Sequence, residues 1–116
     1  MNYFISTSGQ LSHGLSIKYL LKMIKFHLPS AIINLTDRES SYLYHIIYQS
    51  EQSYVEIYIP HELDSVVLDT NMIDKLSSFV HAIRLGFNKE DEVLLYDEAY
   101  VYVISIPWEG IDLSQG

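Results

Sequence analysis

Two runs of alternating residues constrain the fold of this chain more than any other feature. Tyr42–Gln49 (YLYHIIYQ) and Tyr54–Ile59 (YVEIYI) each repeat with a period of two, and the polar tetrapeptide SEQS separates them. Successive side chains of a strand point to opposite faces of a sheet, so this period is typical of a strand with one buried face. The two strands and their short polar loop together predict a β-hairpin.

Sorting the hairpin by parity predicts which face is buried. The odd positions are mostly apolar, and we expect them to pack against the core: Leu43, His45, Ile47, Val55, Ile57 and Ile59. The even positions contain all five tyrosines of the stretch: Tyr42, Tyr44, Tyr48, Tyr54 and Tyr58. Cross-strand aromatic pairs stabilise a sheet. Tyrosine is also favoured at protein interfaces. The predicted tyrosine face is therefore compatible with a structural role, a docking role or both.

Two segments have apolar residues at helical spacing. Over residues 15–28 the spacing predicts an amphipathic helix that is capped by Ser12 or Ser16 and ended by Pro29. Three lysines form a basic stripe along it: Lys18, Lys22 and Lys25. Residues 72–83 predict a second helix, which Asp69 or Thr70 caps and which Gly86 closes in the left-handed conformation.

The remaining apolar runs predict further strands around these helices. They lie at residues 2–6, 31–35 and 65–69, and a second hairpin at 92–96 and 100–106 adds Tyr96, Tyr100 and Tyr102. The resulting order predicts an α+β fold, with an antiparallel or mixed sheet of five to seven strands and two helices packed on one face. No linker or repeat divides the chain, so residues 1–116 are expected to form a single domain.

Charge is distributed unevenly along the chain. The net charge is −8: residues 1–55 carry four basic and three acidic side chains, whereas residues 56–116 carry three basic and twelve acidic ones. Such a negative field repels nucleic acid and attracts basic partners, although acidity also serves solubility. Sheets that stack RNA bases on aromatic rings need basic neighbours, and the neighbours here are acidic. A nucleic-acid partner is therefore disfavoured.

The sequence contains no pattern typical of a catalytic or cofactor site. It lacks cysteine, a glycine-rich phosphate loop and a nucleophile elbow, and its five histidines are dispersed. Convergence of His45, His61 and Glu56 on one hairpin is the alternative that would supply a metal site. We predict no enzyme activity, no metal and no cofactor. The N-terminus has no secretory pattern and no apolar run is long enough to span a bilayer, so a cytoplasmic location is expected.

Small size, acidity, absence of cysteine and tyrosine content give the chain a general resemblance to a known class. It resembles the immunity proteins of bacterial toxin–immunity pairs, such as those of contact-dependent growth inhibition systems. The resemblance implies a protein that binds a basic toxin, often a nuclease, and blocks its active site with acidic and aromatic side chains. Two alternatives are dimeric chaperones of type III secretion, which share part of the element order, and acidic inhibitors that mimic nucleic acid.

The hypothesis from sequence is therefore a non-enzymatic protein, monomeric or homodimeric, that binds a basic protein toxin. It assigns no role to nucleic acid or membrane. One candidate contact group follows the first hairpin: Tyr42, Tyr44, Tyr54, Glu56, Tyr58, Glu62 and Asp64. The other follows the acidic segments of the C-terminal half: Glu90, Asp91, Glu92, Asp97 and Glu98.

Overall fold

In the part of the chain that the structure describes, seven antiparallel strands form one sheet and two helices pack on one of its faces. The structure, a computed structural model, describes residues 2–7, 15–36, 41–98 and 103–113. In chain order the elements are β1 (Asn2–Thr7), α1 (Ile17–His27), β2 (Ile32–Leu35), β3 (Tyr42–Gln49), β4 (Tyr54–Pro60), β5 (Ser65–Thr70), α2 (Leu76–Arg84), β6 (Val93–Asp97) and β7 (Val103–Ser105). The strand order β2-β3-β4-β5-β1-β6-β7 places β1 inside the sheet, antiparallel to both neighbours. The predicted α+β class is confirmed.

A single hydrophobic core lies between the helices and one face of the sheet. Leu20 and Ile24 of α1 are buried at a spacing of four residues, and Phe79, Val80 and Ile83 of α2 repeat the pattern. Alternate residues of the strands meet them: Ile5, Ile46, Val55, Ile57, Ile59, Val66, Leu68, Val93 and Leu95. Because both helices share this cluster, they leave the opposite face of the sheet without a described helix.

The caps of the helices partly follow the predictions. Ser16 caps α1, since its hydroxyl accepts a hydrogen bond from the Tyr19 amide at 3.5 Å; Ser12 lies outside the described residues. Neither Asp69 nor Thr70 caps the second helical segment, whose N-cap positions, Met72 and Lys75, have no side-chain cap hydrogen bond. The buried Thr70 hydroxyl instead accepts a hydrogen bond from the Met72 amide at 2.9 Å, at the turn that follows β5. A single 3-10 turn at Ile73–Lys75 precedes α2, so the regular helix begins later than predicted.

Gly86 does not close α2 in the left-handed conformation, as the sequence analysis expected. Among the described glycines, Gly110 is the one with positive φ, at 92°. Gly86 serves close packing instead: a Cβ there would lie 2.8 Å from Leu15 Cδ1, and the Gly86 carbonyl accepts a hydrogen bond from the Ser16 amide at 2.8 Å. The small residue therefore lets the start of α1 approach the end of α2.

The register of the first hairpin overturns half of the parity prediction. Ile46 is paired with Ile57, and Tyr48 with Val55, so even positions of β3 share a face with odd positions of β4. The physical reason is the length of the loop. With four residues between the two strands, each residue at an odd position is paired with one at an even position, from Gln49–Tyr54 as far as Tyr44–Ile59. On β4 the odd positions are buried as predicted, whereas on β3 the core face is the even one.

A register shift between Tyr42 and Tyr44 returns the first residue of β3 to the other face. Tyr42 is paired with Pro60, an even position of β4, and its ring centroid lies 5.0 Å from that of Tyr58. A β-bulge of this kind inserts one residue and so reverses the alternation beyond it. The five tyrosines of the hairpin are therefore divided between the two faces. Tyr44 and Tyr48 pack against the core, whereas Tyr42, Tyr54 and Tyr58 lie on the face that points away from the helices.

Candidate functional site

The candidate site is the face of the sheet opposite the helices, here called the open face. Its members follow from the strand registers, because directly paired residues of antiparallel strands project to the same side. They include Asn2, Phe4 and Ser6 of β1, Ile32 and Asn34 of β2, Tyr42, His45 and Ile47 of β3, Tyr54, Glu56 and Tyr58 of β4, Val67 and Asp69 of β5, Leu94 and Tyr96 of β6, and Val103 of β7.

One row of this face crosses all seven strands. Successive register partners are Asn34, His45, Tyr58, Val67, Phe4, Tyr96 and Val103. The His45 and Tyr58 rings stack with centroids 4.4 Å apart, and the Phe4 and Tyr96 rings stack at 5.3 Å. The row is therefore a continuous, mostly aromatic and aliphatic surface, and most of its side chains are only partly buried.

Two carboxylates border this row at one end of the sheet. Glu56 of β4 is directly paired with Asp69 of β5, which is in turn paired with Asn2 of β1. Each carboxylate accepts a hydrogen bond from a tyrosine hydroxyl: Tyr58 Oη donates to Glu56 Oε2 at 3.0 Å, and Tyr54 Oη donates to Asp69 Oδ1 at 2.9 Å. These bonds hold the carboxylates in place beside the aromatic row.

The tyrosines that support the carboxylates are held neutral. Burial and the hydrogen bond to Glu56 raise the pKa of Tyr58 to about 12. The pKa of Tyr54 is raised chiefly by its hydrogen bond to Asp69, and the charges of Glu56 and Glu98 add to the effect. Burial and the charges of Asp97 and Glu98 raise the pKa of Tyr3 at the same end. The negative potential is therefore felt across several neighbouring strands.

His45 lies next to one member of this carboxylate pair. Its Nε2 lies 3.8 Å from Glu56 Oε1, and its side chain is 28% exposed. The described part of the seven strands contains no lysine or arginine. The open face therefore carries an excess of negative charge.

The predicted contact residues fall on two opposite ends of the sheet. Tyr3 is paired with Asp97, so Asp97 and the following Glu98 lie at the Asn2 end of β1, the same end as Glu56 and Asp69. Asp97 shares the helix face with Tyr3, however, whereas Glu56 and Asp69 lie on the open face. The Thr7 amide bonds to the Asp64 carbonyl at 3.3 Å, and Thr7 is paired with Val93. The remaining predicted acids therefore belong to the Thr7 end: Glu62, Asp64, Glu90, Asp91 and Glu92. The two groups proposed from sequence are regrouped by the fold.

The prediction that Tyr44 is a contact residue is wrong, and the sequence did not predict several members of the site. Tyr44 packs against the core because of the register described above. Phe4, Val67, Asp69 and Tyr96 belong to the open face but were not predicted. Alternation within β1 and β5 was available as a signal, yet it does not show that β1 lies beside β5 and β6. Tyr100 and Tyr102 lie outside the described residues.

A shallow cleft of about 350 Å³ lies on the helix side, between α2 and the C-terminal segment. Ser77 and His81 line it, together with Glu109 and Asp112. Ser77 Oγ accepts a hydrogen bond from the Leu113 amide at 2.7 Å, and His81 Nε2 lies 3.2 Å from the Trp108 carbonyl oxygen. Both polar groups thus hold the C-terminal segment against α2.

The metal alternative finds no support within the described ranges. His45 and Glu56 come together as that alternative required, but no group of three potential ligands is found among the described residues. The described part of the chain also contains no helix that is long and apolar enough to cross a bilayer. No protein-family model, curated protein or solved structure matches the chain.

Proposed function

We propose that this chain is a non-enzymatic binding protein whose open face docks a basic protein, and that it acts as an immunity protein by covering the active site of a toxin. The observation that carries the proposal is the aromatic row bordered by Glu56 and Asp69, on a sheet face whose described strand residues include no lysine or arginine. Aromatic rings supply contact area, and carboxylates supply orientation and attraction.

The charge of the face favours a basic partner. The lysines of α1 project from the helix layer, on the other side of the sheet from the proposed contact surface. A partner rich in lysine and arginine therefore meets the carboxylates without facing that basic stripe. A nuclease active site has this character because it binds phosphates. Association should accordingly slow and weaken as salt is added.

The hydroxyl contacts favour Glu56 and Asp69 as anchors rather than as rim charges. A carboxylate fixed by a tyrosine hydroxyl loses little further freedom when a partner binds, which lowers the cost of association. The aromatic neighbours exclude water once the surface is covered, and this strengthens the pairing of each carboxylate with a cation. The acids of the Thr7 end have no comparable aromatic row beside them among the described residues.

The chaperone alternative is less favoured by the element order. The type III class begins with a helix, whereas β1 precedes α1 here and lies between β5 and β6. Residues 106–113, which follow β7, are described and are not helical. The immunity proposal requires neither a helix before β1 nor a helix after β7.

The test combines protection and binding. A toxin-like reading frame beside this gene would supply the candidate partner, and co-expression with the chain should restore growth. The double variant Glu56→Gln/Asp69→Asn keeps acceptors for Tyr58 and Tyr54 but removes two charges. If each carboxylate is a desolvated anchor, the variant should lose about 2–5 kcal/mol of binding free energy per anchor and fail to protect.

The matched control removes two charges at the other end of the sheet. Glu62→Gln/Glu90→Gln alters exposed acids and should change affinity by no more than about 1 kcal/mol. Equal losses in the two double variants would show that net charge, not the open face, determines binding. Recovery of no partner from the native host, combined with turnover in a broad hydrolase screen, would contradict the proposal altogether.

A further inference from the structure

We propose that two copies of this chain pair through the outer edge of β2, extending the sheet across a two-fold axis. This inference concerns the backbone edge of β2, which adjoins the open face at Ile32 and Asn34, and it does not depend on the toxin proposal. It starts from the strand order, in which β2 is an edge strand that pairs, among the described strands, with β3 alone. An edge strand presents unpaired amide and carbonyl groups that can pair with another chain.

The side chains of β2 do not protect that edge. Proteins usually block an exposed edge with lysine, proline, a bulge or another charged residue. The segment Ile32–Leu35 contains none of these residues, and its pairing with β3 is regular. Ile32 is 61% exposed on the open face and Leu35 is 67% exposed on the helix face. Apolar surface is thus left uncovered on both sides of the same short edge.

Both ends of β2 are anchored, so the edge is presented in a fixed position. Before the strand, Leu28 and Ala31 are buried, and Lys25 Nζ donates a hydrogen bond to the Ala31 carbonyl at 2.6 Å. After the strand, the Thr36 amide donates to the Leu43 carbonyl at 2.9 Å, and the Thr36 hydroxyl also bonds to that carbonyl. A second strand would therefore add to a preformed edge with little loss of conformational entropy.

Symmetry restricts how two copies can join here. An antiparallel pair related by a two-fold axis brings the same surface of each copy together, and the axis runs perpendicular to the sheet. Opposed residues must then come from the same face, which allows Ile33 opposite Ile33 or Asn34 opposite Asn34 of the second copy. The Asn34 register is favoured because it covers the exposed Leu35 side chain with an aliphatic one. In that register Leu35 lies opposite Ile33, which covers the exposed Leu35 side chain on the helix face. Both open faces then point in the same direction.

Charge favours a second copy over a basic or an acidic foreign partner. Residues 1–55, which include β2, carry four basic and three acidic side chains, so two of these halves meet almost without repulsion. Among the acids of the described strands, Glu56 of β4 lies nearest to β2, two strand positions away, or about 10 Å at the usual strand spacing. Two Glu56 residues would be about 24 Å apart in the pair, about three times the Debye length at physiological salt.

The first test is the mass of the full chain in solution. Sedimentation equilibrium from about 1 to 100 μM should give twice the chain mass of 13.4 kDa at the upper concentrations. Leu35→Lys places like charges at the interface and should weaken the dimer about a hundredfold or more. Val103→Lys is the matched control on the opposite edge strand, at a residue that is 58% exposed, and should leave the dimer intact. If Leu35→Lys fails to fold, Ile32→Lys tests the same edge.

The second test fixes the register. The chain contains no cysteine, so a single introduced thiol is an unambiguous probe. Directly opposed Cα atoms of an antiparallel pair are close enough for a disulfide, so Asn34→Cys should form a covalent dimer under mild oxidation. Ser105→Cys on β7 should not. The proposal is overturned if the wild-type chain is monomeric throughout, if Val103→Lys dissociates the dimer instead, or if cross-linking occurs at Ser105→Cys and not at Asn34→Cys.

Discussion

Arg84 shows how a single buried charge organises one side of the molecule. Its side chain is 3% exposed. Its Nε donates to the Ile106 carbonyl at 2.9 Å, and its two Nη atoms donate to the carbonyls of Asn88, Lys89 and Asp91. The guanidinium also lies 5.3 Å from the Trp108 ring centroid. Burial lowers the pKa of Arg84, while the charges of Asp91 and Glu109 act in the opposite direction. One side chain thus joins α2, residues 88–91 and the segment after β7.

Arg84→Lys should therefore destabilise the fold despite keeping the charge. An ammonium group cannot reproduce the planar set of donors, and several buried carbonyls would lose their partner. We expect the free energy of unfolding in urea to fall by about 2–4 kcal/mol. Lys22→Met, at an exposed position of α1, should change it by less than about 0.5 kcal/mol. A loss at Arg84→Lys no larger than that of the control would contradict this role.

Tyr58 gives a prediction about alkaline pH. Its pKa rises from 10.0 to about 12 on folding, because burial and the hydrogen bond to Glu56 favour the neutral hydroxyl. The associated stability is complete below pH 10 and is lost as the pH rises toward 12. The free energy of unfolding should therefore fall less steeply over this interval in Tyr58→Phe than in the wild type. Parallel slopes in urea titrations of the two proteins would rule out this linkage.

At the scale of elements, the first hairpin separates what alternation predicts from what register decides. Period two established both strands, and both are present close to the predicted bounds. Alternation alone could not show whether the odd or the even residues of β3 face the core, because that depends on how β3 pairs with β4. The four-residue loop implies opposed pairs of unequal parity, so this error was avoidable from the sequence. The bulge that returns Tyr42 to the open face was not, because its position depends on packing at the end of the sheet.

Two neighbouring isoleucines test this assignment directly. Ile46 is 1% exposed in the core, whereas Ile47 is half-buried on the open face opposite Glu56. Ile46→Ala should lower the free energy of unfolding by about 2–5 kcal/mol, since it leaves a cavity. Ile47→Ala removes the same atoms and should cost about 1 kcal/mol or less. The opposite ranking in urea denaturation would restore the parity originally predicted for β3.

At the scale of the whole molecule, the fold concentrates acids at both ends of the sheet. Glu56, Asp69, Asp97 and Glu98 lie at the Asn2 end, and the acids of the β4–β5 and α2–β6 connections lie at the Thr7 end. A net charge of −8 in a chain of this size creates self-repulsion in the folded state. The stability of the protein should therefore depend on ionic strength as well as on packing.

Added salt should stabilise the fold by screening that repulsion. Between about 10 and 300 mM NaCl, we expect the free energy of unfolding to rise by about 1 kcal/mol. The rise should be smaller in Glu62→Gln/Glu90→Gln, which reduces the charge at the Thr7 end. A stability that is independent of salt, or equal salt dependence in the wild type and the variant, would contradict this view.

The sequence by itself determined the order of helices and strands, the α+β class, the two helix faces and the sign of the charge, because these properties depend on local periodicity and composition. Only the tertiary structure decided the site. Insertion of β1 between β5 and β6 brings Phe4 beside Tyr96 and Asp69 beside Asn2, although these residues are distant in the chain. Strand order and register arise from long-range packing against a common core. For this reason the open face carries an aromatic row with two carboxylates held by tyrosine hydroxyls, rather than the predicted face of five tyrosines, and Tyr44 packs against the core.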